Sequence, residues 1–332
     1  MPDQTASRQT LPVHIADAFR VVDGVAEGDA VSFADELVMD DIYALSGGAT
    51  RARLTVLVDD AAGTLSVAKD SGVGQAGNAV HLDCCLTLMA PDGTTLEALI
   101  LVEVEDGSAA GVYLLPLAPL ASETEYRLVG CDRHSATMRL AEVSCVSFTR
   151  GTRITLASGE QRAIENLSVG DRVLTRDDGP QAIRWIGQTT LRAVGSFAPV
   201  VIRRGALHNE NDLVLSPDHR IFVYQRQDRL GAGRAEVLVK VRHLVNGTSV
   251  VQADGGFVDY FQLLFDEHQI VYAEGIAAES LLIDPRTRAA LPEDIAAAAH
   301  GPRAHQLYEV AERLLSSPDA VDLLRRASSS SD

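Results

Sequence analysis

Between residues 16 and 284 the chain never sustains the apolar face of a long helix. Its apolar residues come in short runs, "FRVVDG", "RLTVLVD", "TLSVAKD", "AVHLDCCLTLMAPDG", "EALILVEVEDG", "GVYLLPLAPL" and "EYRLVGCD". Valine, leucine, isoleucine and threonine dominate these runs, and Asp-Gly, Pro-Asp-Gly and Gly-Gly pairs separate them. Such punctuation confines each run to a strand and turns the chain back on itself. The pattern resumes after Ser147 with "RITLA", "RVLTR", "AIRWIG", "PVVIRR", "DLVLS", "RIFVYQ", "EVLVKV", "SVVQ", "YFQLLF" and "QIVYAEG". A mainly β protein follows.

A chain of 332 residues exceeds the roughly 100–150 residues that one core usually serves. The expected order is a flexible N-terminus over 1–15 and a β-rich domain of sandwich or barrel type over 16–146. A compact β domain over 147–284, a helical segment over 285–327 and a disordered tail over 328–332 follow. The helical expectation rests on "PEDIAAAAHG" and on Leu307, Val310, Ala311 and Leu314, spaced i, i+3, i+4, i+7. Ser317 and Pro318 read as the cap and first residue of one more helix.

Composition removes several function classes. The net charge is −17, and the only lysines are Lys69 and Lys240, which argues against the clustered cations that nucleic acid requires. No apolar run reaches the ~18 residues of a membrane span. The opening "MPDQTASRQTLPVHIADAF" lacks the pattern of a Sec signal, so a cytoplasmic location or leaderless export is expected. Cys84, Cys85 and Cys131 read as reduced buried thiols, since no Cys-x-x-Cys is present. His208, His219, His243, His268 and Asp266 show no ligand spacing, so neither metal nor cofactor is expected. "GVGQAG", Gly72 to Gly77, matches a dinucleotide fingerprint. It precedes strand-like sequence instead of opening a helix, and so reads as a flexible hairpin loop.

Three segments of the second domain carry chemistry. The first is Ser147-Phe148-Thr149-Arg150-Gly151-Thr152; the second is Ser216-Pro217-Asp218-His219; the third is "DYFQLLFDEHQIVYAEGIAAES", Asp259 to Ser280. This layout, over about residues 147–282, resembles the Hint domain of inteins, hedgehog C-terminal domains and bacterial intein-like proteins. Asp171, in "VGDRV", matches that family's turn after the opening strands. The resemblance implies an all-β horseshoe fold whose first residue attacks the preceding carbonyl. Ser147 would then perform an N–O acyl shift on the Val146–Ser147 bond. His219 would hydrogen-bond and protonate the departing amide nitrogen, and Ser216 would polarise the same bond. His268 matches a histidine frequent in the family's third segment, with a catalytic and a structural role equally open.

The departures from the family pattern matter as much. Serine replaces the commoner cysteine at 147 and needs activation, because a hydroxyl is the weaker nucleophile. Gln262 stands where many inteins carry an aspartate. Glu279 and Ser280 align with the His-Asn of a C-terminal splice junction, so splicing is not expected. The expected activity is single-turnover cleavage or transfer, with the protein's own N-terminal domain as substrate and water, a thiol or an amine resolving the ester. The alternative is a non-catalytic binding or assembly protein with a silenced Hint fold. Cys145, two residues before the motif, reads as structural, sharing a face with Ser147 if 143–148 is extended. Trp185 reads as a core residue or a strand-face anchor.

Overall fold

The computed structural model describes residues 7–59, 64–225, 228, 232–283, 287, 291, 295 and 321–324. It divides into two compact units. One comprises residues 1–142 with 285–291, the other residues 143–284 with 292–332.

The first unit contains strands β1 (Ser7–Ile15), β2 (Phe19–Asp23), β3 (Ile42–Leu45), β4 (Ala52–Asp59) and β5 (Thr64–Val67). The longer β6 (Ala79–Met89), β7 (Thr95–Glu105), β8 (Ser108–Pro116) and β9 (Glu125–Asp132) follow, and then helix α1 (Ser135–Ser144). The pairing order β6-β5-β4-β1-β8-β7 returns to β6, so these strands close a six-stranded antiparallel barrel. The far half of β6 also pairs with β9, which carries β3 and β2 outward. Closure leaves these six strands no free edge, and it decides for a barrel over a sandwich.

Residues 7–15 were expected to be flexible, and here the expectation fails. Ser7–Val13 pair continuously with Val58–Ala52, and His14 and Ile15 pair with β8. Leu11 and Val13 are buried, an alternation masked in the sequence by Gln9, Thr10 and Pro12. Residues 1–6 lie outside the described residues. The helix α1 also has no counterpart in the sequence reading; the Asp132 carboxylate opens it by accepting from the His134 and Ser135 N–H groups.

The long run in β7 is apolar throughout because both its faces are covered. Ile100 and Val102 pack in a cluster with Phe19, Tyr43 and Tyr126, while Leu99 and Leu101 point the other way and are equally buried. Phe19 and Tyr43 stack at 5.2 Å between ring centroids. The Cys84 thiol is buried and contacts that of Cys131, which is half-buried and not fully enclosed as expected. Burial pushes both thiols up, away from the reactive thiolate.

The Gly72–Gly77 segment joins β5 to β6, as a hairpin loop should, but it is tied down. The Gln75 N–H and the Asn78 amide both donate to Glu103 Oε1 at 2.7 Å. Tyr113 donates to Glu103 Oε2 at 2.6 Å. Gly74, at φ +80°, sits where a side chain would strike Glu103 and Tyr113.

The second unit holds two sheets. Its strands are β10 (Phe148–Thr149), β11 (Arg153–Thr155), β12 (Gln161–Ala163), β13 (Arg172–Thr175), β14 (Gly179–Ala182) and β15 (Trp185–Arg192). Next come β16 (Val200–Ile202), β17 (Leu213–Leu215), β18 (Arg220–Tyr224) and β19 (Glu236–Lys240). The last are β20 (Val250–Gln252), β21 (Phe257–Leu264), β22 (Ile270–Ala273) and β23 (Ile276–Glu279). One sheet runs β15-β21-β10-β17-β16-β20. The other runs β12-β11-β22-β23-β18-β19, with β13 pairing to β22 and β14 to β13. A single core of Phe148, Ile154, Leu215, Ile221, Phe261 and Val271 joins residues of both sheets. Val321 and Leu324, in a helical stretch, belong to that core. Residue 295 is helical too, whereas 287 lies in a turn and 291 in a bend; the remaining residues of the expected helical segment and the 328–332 tail lie outside the described residues.

Glu103 supplies a test of the barrel. Burial alone would raise its pKa, but the hydrogen bonds from Tyr113, Gln75 and Asn78 outweigh that and hold it below the usual glutamate value. With the folded pKa depressed, its contribution is complete above the unfolded carboxyl pKa of about 4.3 and is lost as pH falls through the folded value. Glu103→Gln should cost about 1–3 kcal/mol at neutral pH and flatten the acid limb of stability, as read by denaturant unfolding at a series of pH values.

Candidate functional site

The register of one short strand assembles the site. β10 lies between β17 and β21, with Phe148 opposite Leu215 on one side and Phe261 on the other. One step outward, antiparallel pairing sets Ser147 between Ser216 and Gln262. The next strand continues the row, since Gly187 of β15 pairs with Gln262. Two residues that are 69 and 115 positions from Ser147 in sequence thus meet it.

Each polar atom of Ser147 is engaged. Its N–H donates to Ser216 Oγ at 3.0 Å, and Ser216 Oγ in turn donates to the Cys145 carbonyl at 3.2 Å. The Ser147 carbonyl accepts the Ser216 N–H at 3.0 Å and lies 3.1 Å from His219 Nδ1. Gln262 Nε2 donates to Ser147 Oγ at 3.2 Å. Ser147 is 3% exposed and His219 0%, so water is excluded from the bond between Val146 and Ser147.

His219 therefore sits one carbonyl away from its expected place. The sequence reading put its imidazole on the scissile amide nitrogen; in the structure the Ser216 hydroxyl occupies that nitrogen, and His219 faces the Ser147 carbonyl. The cause is the turn after β17, where the His219 N–H donates to the Ser216 carbonyl and brings the ring under Phe148, edge-on at 4.6 Å. A carbonyl can only accept, so Nδ1 carries the proton. Burial lowers the His219 pKa to about 4, opposed by the backbone oxygens of Ser147 and Glu279 and assisted by the Arg220 charge. Its Nε2 is buried and, beyond the Glu279 backbone, has no hydrogen-bond partner.

Charged neighbours flank this neutral ring. Burial would raise the Asp218 pKa, but Arg242, Lys240 and Arg220 hold it low, with Arg242 in direct contact. Arg220 Nη1 donates to Glu279 Oε2 at 3.2 Å. His268, 7% exposed, stands with its Nε2 3.9 Å from Glu279 Oε1. Ser280 continues the ladder, exchanging bonds with Gln269, and the Leu281 N–H then donates to Leu263.

The remaining motif residues shape the turn. Phe148 is buried, and Gly151 takes φ +86°, a conformation that favours glycine. Thr152 is buried, and its carbonyl accepts the Ile164 N–H. Asp171 accepts the Ser168 N–H at 2.9 Å and an Arg162 bond at 3.2 Å, the work of a turn former. Residues 143–144 are helical, not extended, so Cys145 does not share a strand face with Ser147. It enters the site through its backbone carbonyl. Trp185 and Gly187 were not read as site residues, although a glycine inside "WIG" marks close approach within a strand.

Among the described residues no group of three or more histidine, cysteine or acidic side chains is arranged to hold a metal. No helix among them is long and apolar enough to cross a membrane.

Residues 146–285 match the family model described as the Hint domain. Among solved structures, the gp41-1 intein is similar at 13% identity, covering 40% of this chain and 97% of that one, with a TM-score of 0.25. A substituted form of the same intein gives the same identity and score, with 98% of its chain covered. No curated protein matches the chain. The model match begins one residue before the serine that the β10 register places between Ser216 and Gln262, and a Hint domain occupies residues 146–285 of this protein.

Proposed function

We propose that the Hint domain processes its own chain once, at the Val146–Ser147 bond, without splicing. Ser147 Oγ attacks the Val146 carbonyl carbon. The Oγ–C bond forms, the C–N bond breaks, and the proton lost by Oγ ends on the Ser147 nitrogen. The product is an ester, which water, a thiol or an amine resolves to release or transfer the N-terminal unit. The observation that carries this reading is the 3.0 Å bond from the Ser147 N–H to Ser216 Oγ, inside a Hint match that starts at residue 146.

The roles follow from the contacts. Ser216 touches the departing nitrogen, so its hydroxyl is the group to relay a proton there. Amide nitrogen leaves only when protonated, which makes that contact decisive. His219, neutral at pH 7, is a hydrogen-bond donor that fixes the Ser147 carbonyl and the peptide plane; it is not an imidazolium acid. Glu279 and Ser280 provide no asparagine to cyclise, so the C-terminal side stays joined.

A second reading has its own support. Every polar atom of Ser147 is satisfied as in a resting sheet, and Gln262 meets the hydroxyl with a donor instead of a base. A silenced Hint fold serving as a binding or assembly module would look this way. Purified protein separates the two. Self-processing gives fragments 1–146 and 147–332 by intact mass, accelerated by hydroxylamine. Ser147→Ala abolishes them, Ser147→Cys speeds them at least about tenfold, and Ser216→Ala slows them roughly 100-fold while Ser216→Thr does not. Intact Ser147→Cys protein after long incubation with hydroxylamine refutes self-processing.

The His219 pKa gives a further expectation. Its folded value of about 4 lies below the unfolded 6.5, so the neutral ring stabilises fully above pH ~6.5 and that contribution is lost as pH falls toward 4. Imidazole nitrogen resonances of His219 should show an Nδ1–H tautomer from pH 8 to about 5. A cationic ring at pH 6.5 would contradict the assignment. Fragment formation should likewise show no rise between pH 8 and 6 of the kind an imidazolium acid would give.

A further inference from the structure

The contact on the Ser147 hydroxyl carries more than the family likeness does. Gln262 is 9% exposed, and its Nε2 donates to Ser147 Oγ at 3.2 Å. Across the sheet, Gly187 lies opposite it. A Cβ built on Gly187 would collide with the Trp185 indole and stand 2.6 Å from Gln262 Oε1. The indole of Trp185 therefore folds over the space its neighbour leaves free, and the Gln262 oxygen occupies the same slot. With Oε1 turned to Gly187, Nε2 is the atom that faces Ser147 Oγ.

We infer that Gln262, whose carboxamide has room beside Gly187, is a catalytic donor to Ser147 Oγ that serves the breakdown of the ester and not the opening attack. The inference rests on the self-processing reading for its chemistry. An amide N–H cannot take the proton that Oγ loses, so Gln262 gives no base to the first step. In the second step an amine such as hydroxylamine bonds to the Val146 carbonyl carbon and the Oγ–C bond breaks. The electron pair stays on Oγ, which finally takes the amine's surplus proton. A donor already aimed at Oγ stabilises the charge that develops there, and burial strengthens it. A side chain at 187 would strike both the Trp185 indole and the carboxamide, which accounts for a glycine inside this strand.

The test uses full-length protein and hydroxylamine as the probe. Gln262→Leu, close in size but without the donor, should lower the fragmentation rate about 100-fold. Gln262→Glu should give the rate a dependence on pH through the carboxylate range that the parent lacks. Gly187→Ala should reproduce the Leu effect without touching Gln262. A second measurement does not need cleavage. In Ser147→Cys protein, thiolate absorbance against pH should show about tenfold less thiolate in Gln262→Leu at a given pH, because the donor stabilises the anion. Unchanged fragmentation and unchanged thiolate titration in Gln262→Leu overturn the inference. A thiolate response with no fragmentation in any form supports the Gln262 contact and refutes self-processing.

Discussion

The candidate site depends on the register of β10, a strand of two residues. Phe148 opposite both Leu215 and Phe261 is what places Ser147 between Ser216 and Gln262. A slip by one residue would carry Phe148 from the core to the opposite face and replace every neighbour of Ser147 at once. The Phe148 ring, 1% exposed and in contact with His219, opposes such a slip. Burying a phenylalanine is worth about 1.5–3 kcal/mol, so the aromatic residue beside Ser147 guards the geometry of the candidate site.

The second constraint is dielectric. His219 lies in the same turn as two charged residues, Asp218 and Arg220, yet is itself neutral. Each neighbour is neutralised on its own side, Asp218 by Arg242 and Lys240 and Arg220 by Glu279. The imidazole, without a carboxylate of its own, yields to desolvation. This division explains why the His219 ring is neutral and donates to a carbonyl.

Much of this was legible in the chain itself. The runs from "FRVVDG" to "EYRLVGCD" and from "RITLA" to "QIVYAEG" fall on strands, except "AIRWIG", which spans the step from β14 to β15, because apolar alternation between turn residues is a local signal. The strand over residues 7–15 was not legible: closing the barrel, a long-range demand, recruits a segment whose polar residues hide its buried Leu11 and Val13. The two-residue β10 and the three-residue β12 are too short to carry a period. At the site, Ser147, Ser216 and His219 came from motif spacing, which fixes neighbours along the chain but not which atom each side chain reaches. The exchange of His219 for Ser216 at the amide nitrogen is an atomic difference within a turn. Gly187 gave a faint sign, a glycine inside a strand, whose meaning needed the register with Gln262.

The end of the Hint sheet points the same way as the absence of a splice-junction asparagine. Arg220 and Glu279 are 9% and 2% exposed, and taking such a pair out of water is expensive unless its geometry and extra hydrogen bonds compensate. Removing one partner of a buried pair costs about 3–5 kcal/mol, since the other charge is left stranded. That asymmetry makes the pair a lock on β18 and β23 once formed. Ser280 then exchanges bonds with Gln269 and Leu281 donates to Leu263, so the chain passes from one sheet into the other with its backbone satisfied. A labile junction needs a peptide bond free to distort and an attacking side chain beside it. Here the two aligned residues are a carboxylate already committed to Arg220 and a hydroxyl already committed to the Gln269 backbone.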